Sequence, residues 1–387
     1  MKISAIVPTY NSEEFIEESI KSLCTQTHPL TEILIIDDFS TDGTLNIINK
    51  LSNRYKNIRI IENSSNLGVS ATRNKGIKEA LGDWLLFLDA DDIAEENLVE
   101  EAIEYYLNIV HSKKENQWAL VHPAYLQIDK QGKSDGTVIR GKQYEWYETL
   151  GYELYRNQIV TPSGLLIKKE IVVKYGGFDE NLSYNEDWDL WLRVARDWGF
   201  AYIDKPLVRV RRHSNNATSE LQKTRDAERF VLSRYNIKEI KDAIFKRKQD
   251  EDENRLNFIS MLYRLDKWEE GFNEFSLLEG KVRKDKELFW KSLYYLYKND
   301  YKEALILLRE ALQINPNNGA ILNNLGVLYA LTGNSREARI LLNRAVVLYP
   351  DYLDGSNNLK LLSSNSTGDF KFTWRELRDT LLKYSKG

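Results

Sequence analysis

Three carboxylates, Asp89, Asp91 and Asp92, stand within four positions directly after the apolar run Trp84-Leu85-Leu86-Phe87-Leu88. Neighbouring carboxylates repel one another unless a cation or a positive end lies close, and Mg²⁺ and Mn²⁺ favour oxygen ligands. A run of this length reads as a strand, and ligands of an α/β sheet sit at the carboxyl ends of its strands. The segment points to a metal with a phosphate-bearing ligand behind it. The competing reading is helix capping, in which Asp91 or Asp92 caps a helix starting near Glu95. Asp89 is then left unexplained.

Further candidates fall at other strand ends. In Val7-Pro8-Thr9-Tyr10-Asn11, Thr9 offers a hydroxyl and Tyr10 a ring for stacking, while Asn11 can cap the next helix with Glu14 completing a capping box. In Asp37-Asp38-Phe39-Ser40-Thr41-Asp42-Gly43, one aspartate of the pair suits a nucleoside's imide N–H or ribose hydroxyl, and Thr41 or Asp42 caps a helix. In Asn66-Leu67-Gly68 through Gly76, Arg73 and Lys75 can meet an anion near a helix start. Later, Asp187, Trp191, Val194 and Trp198 share one helical face, so Asp187 extends an apolar, inward stripe, while Glu186, Arg193 and Asp197 fall on a polar side. An inward carboxylate at a helix start is a cap or a working group, and the helix's positive end would keep it ionised, as a base requires. His213 closes Arg209-Val210-Arg211-Arg212-His213, an alternation leaving a strand, as a metal ligand, a phosphate partner or merely an exposed residue.

The elements that must hold these residues alternate in type. Strands are expected over 3–10, 32–38, 58–62 and 84–89, with helices after Asn11, after Gly43 and over 69–81. Repeated βαβ units of this length predict a parallel, doubly wound sheet. Gln131-Gly132-Lys133 reads as a hairpin turn, and helices and strands continue to about His213. From Glu220 to Asn257 the chain is strongly charged and lacks Gly and Pro, which reads as a helical connector. Beyond it, Ala304, Leu307, Ala311 and Pro316 match Ala338, Leu341, Ala345 and Pro350 at a 34-residue offset. That period, with small residues where two helices cross, resembles tetratricopeptide repeats. An earlier degenerate copy, including Trp268–Phe272 and Tyr294–Tyr297, is expected because stacked repeats need about three units.

The bulk properties narrow the class. With 387 residues the chain has room for at least two domains. A net charge of -4 advertises no nucleic-acid partner, and the single cysteine, Cys24, excludes an internal disulfide framework and fits a reducing compartment. The N-terminus is too strand-like for a signal peptide, and no apolar run approaches the roughly 20 residues of a membrane span. A cytoplasmic protein, at most peripheral to the inner face of the membrane, is expected.

Taken in order, the motifs resemble one family. Pro-Thr-Tyr-Asn, Asp-Asp-x-Ser-Thr-Asp-Gly-Thr, Asn-x-Gly-x-Ser-x-x-Arg-Asn-x-Gly, Leu-Asp-x-Asp-Asp, Gly-Gly-Phe-Asp-Glu and Glu-Asp-x-Asp-Leu-Trp-x-Arg look like a family 2 glycosyltransferase of the GT-A fold. The likeness runs from Met1 to about Ser219 and leaves out the C-terminal repeats. It implies an α/β GT-A domain, Rossmann-like with a mostly parallel sheet between helices, over 1–219. The charged connector of 220–257 and an all-α repeat domain over 258–387 would follow. By position, it makes Thr9, Tyr10 and Asp38 nucleotide-base contacts, puts Arg73 beside the nucleotide and Asp89 near the ribose. Asp91 becomes the main contact for Mn²⁺ or Mg²⁺, with Asp92 and His213 as further metal positions, and Asp187 becomes the catalytic base. The donor implied is a nucleoside-diphosphate sugar, a UDP-sugar foremost. The acceptor would be a glycan, a lipid-linked glycan or a protein or peptide, and the repeats would bind acceptor, a protein partner or a second subunit. No Gln-x-x-Arg-Trp follows Asp187 and no membrane span is expected, so a single addition is expected; an acceptor deprotonated by Asp187 and attacking the opposite face of the sugar carbon would give inversion. The alternative from another class is a repeat scaffold attached to an inactive nucleotide-binding domain.

Overall fold

Buried runs at the front of the chain become strands in the order they occur. β1 (Ile3–Thr9), α1 (Ile16–Cys24), β2 (Glu32–Asp37), α2 (Thr44–Arg54), β3 (Ile58–Glu62), α3 (Val69–Glu79) and β4 (Trp84–Phe87) form three successive βα units feeding a fourth strand. Every residue of β1 and β2 is buried, as expected where helices cover both faces of a parallel sheet. In this computed structural model, residues 1–113, 117–213, 221–350, 352–364 and 369–377 are described. The chain divides into two compact units, Met1–Lys248 and Gln249–Gly387.

The sheet of the first unit keeps one direction only through its first half. β3, β2, β1 and β4 lie side by side in parallel. After β5 (Ile93–Ala94), α4 (Leu98–Lys113), β6 (Trp118–Ile128), β7 (Val138–Ile139), α5 (Thr149–Tyr155) and β8 (Leu166–Lys168), the direction reverses. β8 is antiparallel to both β4 and β6 and so joins the parallel half to β6, along whose other side β9 (Gly199–Arg211) runs parallel. The sheet is therefore mixed, because β8 arrives without a right-handed crossover helix. The turn read at Gln131-Gly132-Lys133 lies between β6 and β7, which pair antiparallel, with Asp129 Oδ1 accepting from the Gln131 and Lys133 amides.

α3 lies close on the sheet because of Gly76. A Cβ there would come within 2.8 Å of Ile6 and Ile36 side-chain atoms, so the helix could not sit at this depth with alanine. Under it, Phe87, Phe178, Leu190, Trp191 and Val194 share one buried cluster. α6 (Lys169–Lys174) and α7 (Glu186–Ala195) close that cluster, and Trp191 and Val194 are fully buried, as their shared face requires. Truncating Trp191 to alanine would cost roughly 3–5 kcal/mol.

The stretch read as a connector is helical where described. α8 (Leu221–Ser233) and α9 (Ile237–Phe245) lie in the first unit, and α10 (Glu251–Arg264) opens the second. The expected boundary at 219/220 lies outside the described residues. In the second unit, α11 (Trp268–Asn273) and α12 (Lys284–Tyr297) precede α13 (Tyr301–Ile314), α14 (Gly319–Leu331), α15 (Ser335–Leu348) and α16 (Leu353–Ser364). α13 and α15 start and stop 34 residues apart, with Ala304, Ala311, Ala338 and Ala345 fully buried where neighbouring helices meet. Trp268, read as part of a degenerate copy, stacks between Tyr263 and Tyr297 at 4.3 and 4.4 Å. Among the described residues no helix is long and apolar enough to cross a membrane.

Candidate active site

The carboxyl ends of β1 and β2 make one wall of the site. Thr9 and Asp37 are register partners there. Thr9 Oγ1 and Asp37 Oδ1 are both buried and have no hydrogen-bond partner among the described residues. A buried polar atom left unpaired costs about 1–3 kcal/mol, and this pair offers an acceptor and a hydroxyl side by side to a ligand's polar edge or to water. Tyr10 and Phe39, which follow Thr9 and Asp38 in the chain, are 49% and 52% exposed. Phe39 also holds a left-handed backbone with φ of 68°, a strained conformation for a bulky residue. Sequence reasoning passed over Phe39, which carried no signal beyond its place in Asp-Asp-x-Ser.

Asp38 is more committed than its sequence assignment implies. Its Oδ1 accepts from Asn63 Nδ2 at 2.7 Å and the Leu67 amide at 2.9 Å, and its Oδ2 from the Gly68 amide at 2.8 Å. Three of about four acceptor positions are thus spent on holding the loop that starts α3. Asn11 does not cap α1. It takes a left-handed conformation, and its Oδ1 accepts from the Thr41 amide across the strand ends, while α1 starts after Phe15 without a side-chain cap. Asp42 does brace the start of α2, accepting from the Thr44 amide at 3.0 Å.

The three carboxylates after β4 have three different environments. Asp89 Oδ1 accepts from Arg73 Nη2 at 2.7 Å, and its amide donates to Ser163 Oγ. Asp91 keeps 24% of its side chain open and places Oδ2 2.9 Å from His213 Nε2. Asp92 is buried and accepts from the Arg211 amide at 2.9 Å. Burial, followed by the Asp91 and Asp89 charges, pushes its carboxyl well above the usual carboxylate range. Asp92 therefore ties the end of β9 to the loop, and neither it nor Asp91 caps a helix: β5 intervenes, and α4 begins only at Leu98. Arg211 repeats the tie, donating from Nε to the Asp91 carbonyl and from Nη2 to Glu18. The His213 ring lies stacked on Phe15 at 5.3 Å.

Of the candidate metal positions, Asp91 and His213 converge. Among the described residues no group of three or more His, Cys, Asp or Glu side chains forms a metal-binding set. An oxygen and a nitrogen donor, with phosphate oxygens filling other positions, fit Mn²⁺ or Mg²⁺ held jointly by protein and ligand.

α7 carries the remaining candidate. Asp187 sits in its first turn, its Oδ1 accepting from the Trp188 amide at 2.6 Å, with part of its surface open. Burial chiefly, then the Glu186 charge, raises its carboxyl to about 7, with Arg73 pulling the other way. The helix's positive end was expected to keep it ionised. Partial removal from water and a carboxylate next door outweigh that end, leaving a carboxyl poised near neutrality. Glu186 departs from its expected polar side, because its Oε1 accepts from Arg73 Nη1 at 2.7 Å. Arg73, only 4% exposed, thus bridges the strand end at Asp89 to the start of α7. Burial opposes its charge, but Asp89 and Glu186 more than offset that and keep it protonated.

The ground beneath α7 is braced by contacts that sequence reasoning missed. Asp189, 1% exposed, accepts from Arg193 Nε at 2.9 Å and from Arg234 Nη1 at 2.7 Å, and Arg234 Nη2 donates to Asp179 at 2.6 Å. Gly177 explains part of Gly-Gly-Phe-Asp-Glu: with φ of 69° and a would-be Cβ 2.5 Å from Asn74 Oδ1, only glycine suits it. Asn74 pairs with both the Phe178 amide and carbonyl at 2.8 Å, fixing this turn to α3.

Comparison with known proteins bears on the family and the fold. The model of glycosyl transferase family 2 matches residues 4–111, and a tetratricopeptide repeat model matches 295–355. An uncharacterized glycosyltransferase of Methanocaldococcus jannaschii is 30% identical over 240 residues, covering 61% of this chain and 78% of that one. An uncharacterized glycosyltransferase of Haemophilus influenzae is 28% identical over 282 residues, covering 68% of this chain and 81% of that one. Poly(ribitol-phosphate) beta-glucosyltransferase of Bacillus spizizenii is 32% identical over 215 residues, 51% of this chain but only 33% of that longer protein. Among solved structures, S. aureus TarS 1-349 in complex with UDP-GlcNAc has a TM-score of 0.51 at 20% identity, covering 92% of both chains, a likeness of fold.

Proposed function

The chain belongs to glycosyl transferase family 2, and on that premise we propose that it moves one sugar, with inversion, from a nucleoside-diphosphate sugar to an acceptor hydroxyl, Asp187 acting as the base. A UDP-sugar is the donor we favour. The observation that carries the reading is a partly open carboxylate, raised to about 7, whose neighbour Glu186 is joined through one buried guanidinium to Asp89, at the strand end beside Asp91. A base with a pKa near the working pH combines a usable unprotonated fraction with real proton affinity.

Asp187 takes the proton of the acceptor hydroxyl as that oxygen bonds to the anomeric carbon, while the bond from that carbon to the diphosphate oxygen breaks on the opposite face. Thr9 and Asp37 meet the polar edge of the base, and Tyr10 and Phe39 its faces, with Asp38 holding the loop around it. Asp89 lies where the ribose hydroxyls would reach it. Asp91 and His213 would hold the divalent ion, which when bound offsets charge on the departing diphosphate, an effect worth several kcal/mol. Asp92 serves that pair from behind by pinning the end of β9.

The acceptor is a glycan, a lipid-linked glycan or a polypeptide, and the repeats serve acceptor or subunit contacts. The Bacillus relative is named for poly(ribitol-phosphate), so a polyol-phosphate chain is the first acceptor to assay. We place the reaction in the cytoplasm, at most at the inner face of the membrane. A panel of nucleotide sugars with Mn²⁺, scored for slow donor hydrolysis and thermal shift, tests the proposal. Stabilisation and hydrolysis with one donor support it; a flat response across the panel overturns it.

A further inference from the structure

Helix α1 carries a stripe that its local sequence does not explain. Phe15, at the helix cap, stands with Glu18, Ser19 and Ser22 at i, i+3, i+4 and i+7, so the four share one face. The apolar stripe that the fold buries, Ile16, Ile20 and Leu23, lies beside them. Serine is a mediocre helix former, and a buried hydroxyl costs stability unless it is paired. Ser19 is buried nonetheless, in a helix that no side-chain hydrogen bond caps.

Each member of the stripe holds a group on the acidic segment after β4 or on the end of β9. Ser19 Oγ donates to the Asp89 carbonyl at 3.3 Å, and Ser22 Oγ accepts from the Ala94 amide at 3.0 Å. Glu18 accepts from Arg211 Nη2 at 2.7 Å, and Arg211 Nε donates in turn to the Asp91 carbonyl at 2.9 Å. Gln26, just past the helix end, donates to the Glu95 carbonyl at 2.7 Å and accepts from the Val99 amide at 3.1 Å. The acidic segment is thus laid along α1 with its backbone fixed at residues 89, 91, 94 and 95. At the other end of the stripe, the Arg211 guanidinium lies 4.9 Å over the Phe15 ring. The His213 imidazole stacks on that ring at 5.3 Å, only 20° from parallel.

The consequence falls on Asp91. Its carboxylate stays partly open while the backbone on both sides of it is tied down, and the imidazole 2.9 Å away lies flat against Phe15. Asp92 ties the acidic segment to β9, and α1 sets where the two stand together. We propose that Phe15, Ser19 and Ser22 are positioning residues for the Asp91–His213 pair, fixing the separation and facing of its two donors; this role rests on the part in ion binding proposed above for that pair. Among the described residues, none of the stripe's side-chain hydrogen bonds or ring contacts reaches Thr9, Tyr10, Asp37 or Phe39. The stripe therefore governs the ion-dependent share of nucleotide binding and leaves the base-dependent share alone.

Calorimetry of the full chain with UDP, once in Mn²⁺ and once in EDTA, separates the two shares. For the unaltered chain, Mn²⁺ should raise UDP affinity at least tenfold. Ser19→Ala combined with Ser22→Ala removes both hydroxyls and installs the best helix former, so the helix itself is not weakened. Phe15→Leu removes the ring and keeps apolar volume. In each of these chains the gain from Mn²⁺ should fall at least fivefold, while affinity in EDTA stays within twofold. Phe15→Tyr retains the ring and should retain the full gain. A stripe that merely held the fold together would lower both affinities alike. Full Mn²⁺ gains in both variants, or equal losses in Mn²⁺ and EDTA, overturn the positioning role and leave the pair's own role standing. A missing Mn²⁺ gain in the unaltered chain removes the pair from ion binding, and the positioning role with it.

Discussion

Asp187→Asn should make the protein more stable as it destroys activity, and the gain should depend on pH in a specific way. The carboxyl's rise from 3.8 to about 7 corresponds to roughly 4 kcal/mol in favour of its neutral form. The open part of the side chain lets solvent screen this, so roughly 1–2 kcal/mol is the working expectation. The sign follows from linkage. Below pH ~4 the carboxyl is neutral in both folded and unfolded chains, and the charge costs the fold nothing. Between pH ~4 and ~7 the unfolded chain sheds its proton while the folded one holds it, and the penalty grows. Above about 7 it is complete. Asparagine keeps the oxygen that accepts from the Trp188 amide and removes only the charge. Thermal and urea melts of both proteins at pH 4.5 to 8.5 should therefore differ little at the acid end and by roughly 1–2 kcal/mol at the alkaline end. Turnover with donor and acceptor should fall by roughly 10²–10⁴. A stability difference independent of pH, or near-normal turnover in the variant, would refute the electrostatic reading of this residue.

For the unaltered enzyme, kcat/KM should climb with pH through about 7 and then level, since the proposed base, Asp187, takes a proton only when unprotonated; a profile flat from pH 5 to 8 contradicts that role. Asp91→Asn and His213→Ala should each weaken Mn²⁺-dependent donor binding by roughly tenfold or more in calorimetry, and an unchanged affinity in both removes the pair from metal binding. Phe39→Gly should raise the donor KM severalfold while relieving about 1 kcal/mol of left-handed strain, so a destabilised variant with normal donor KM argues against a role in binding. Arg234→Ala, which leaves Asp189 half-paired, should lower kcat roughly tenfold with little change in donor KM and shift the pH profile, and Arg234→Lys should recover part of the loss.

β1, β2 and β4 were legible because parallel strands buried on both faces read as near-continuous apolar runs, and the edge strand β3 because its isoleucines stand between two helical patterns. Asp187 was legible for a similar reason, since Trp191 and Val194 mark the inward face of its helix. What escaped depended on partners far along the chain. Asn11 looks like a cap until Thr41, thirty residues away, takes its oxygen. Asp38 looks available until the Leu67 and Gly68 amides arrive. Asp91 and Asp92 are neighbours of one type, and only the backbone of β9, more than a hundred residues later, buries one and leaves the other open. Arg234 lies beyond the family motifs altogether, and nothing local links it to Asp189.

Arg73 shows why these separate motifs must work together. It brings one positive charge to a place where Asp89 and Glu186 bond to it and Asp187 lies within its field. One guanidinium against three carboxylates leaves net negative charge in a partly dry site. That excess, with burial, holds Asp187 near neutrality when an isolated carboxyl would ionise far lower. The same guanidinium orients Asp89, so the proton affinity of Asp187 and the position of the Asp89 carboxylate at the strand end are both set by one side chain. Its planar fork meets the two carboxylates through separate nitrogens and rests 5.3 Å over the Phe178 ring. A lysine ammonium cannot span both partners from that perch. The Asn-x-Gly-x-Ser-x-x-Arg-Asn and Gly-Gly-Phe-Asp-Glu motifs are thus one device: Asn74 clamps the Phe178 turn, Phe178 supports Arg73, and Arg73 ties the start of α7 to the strand end.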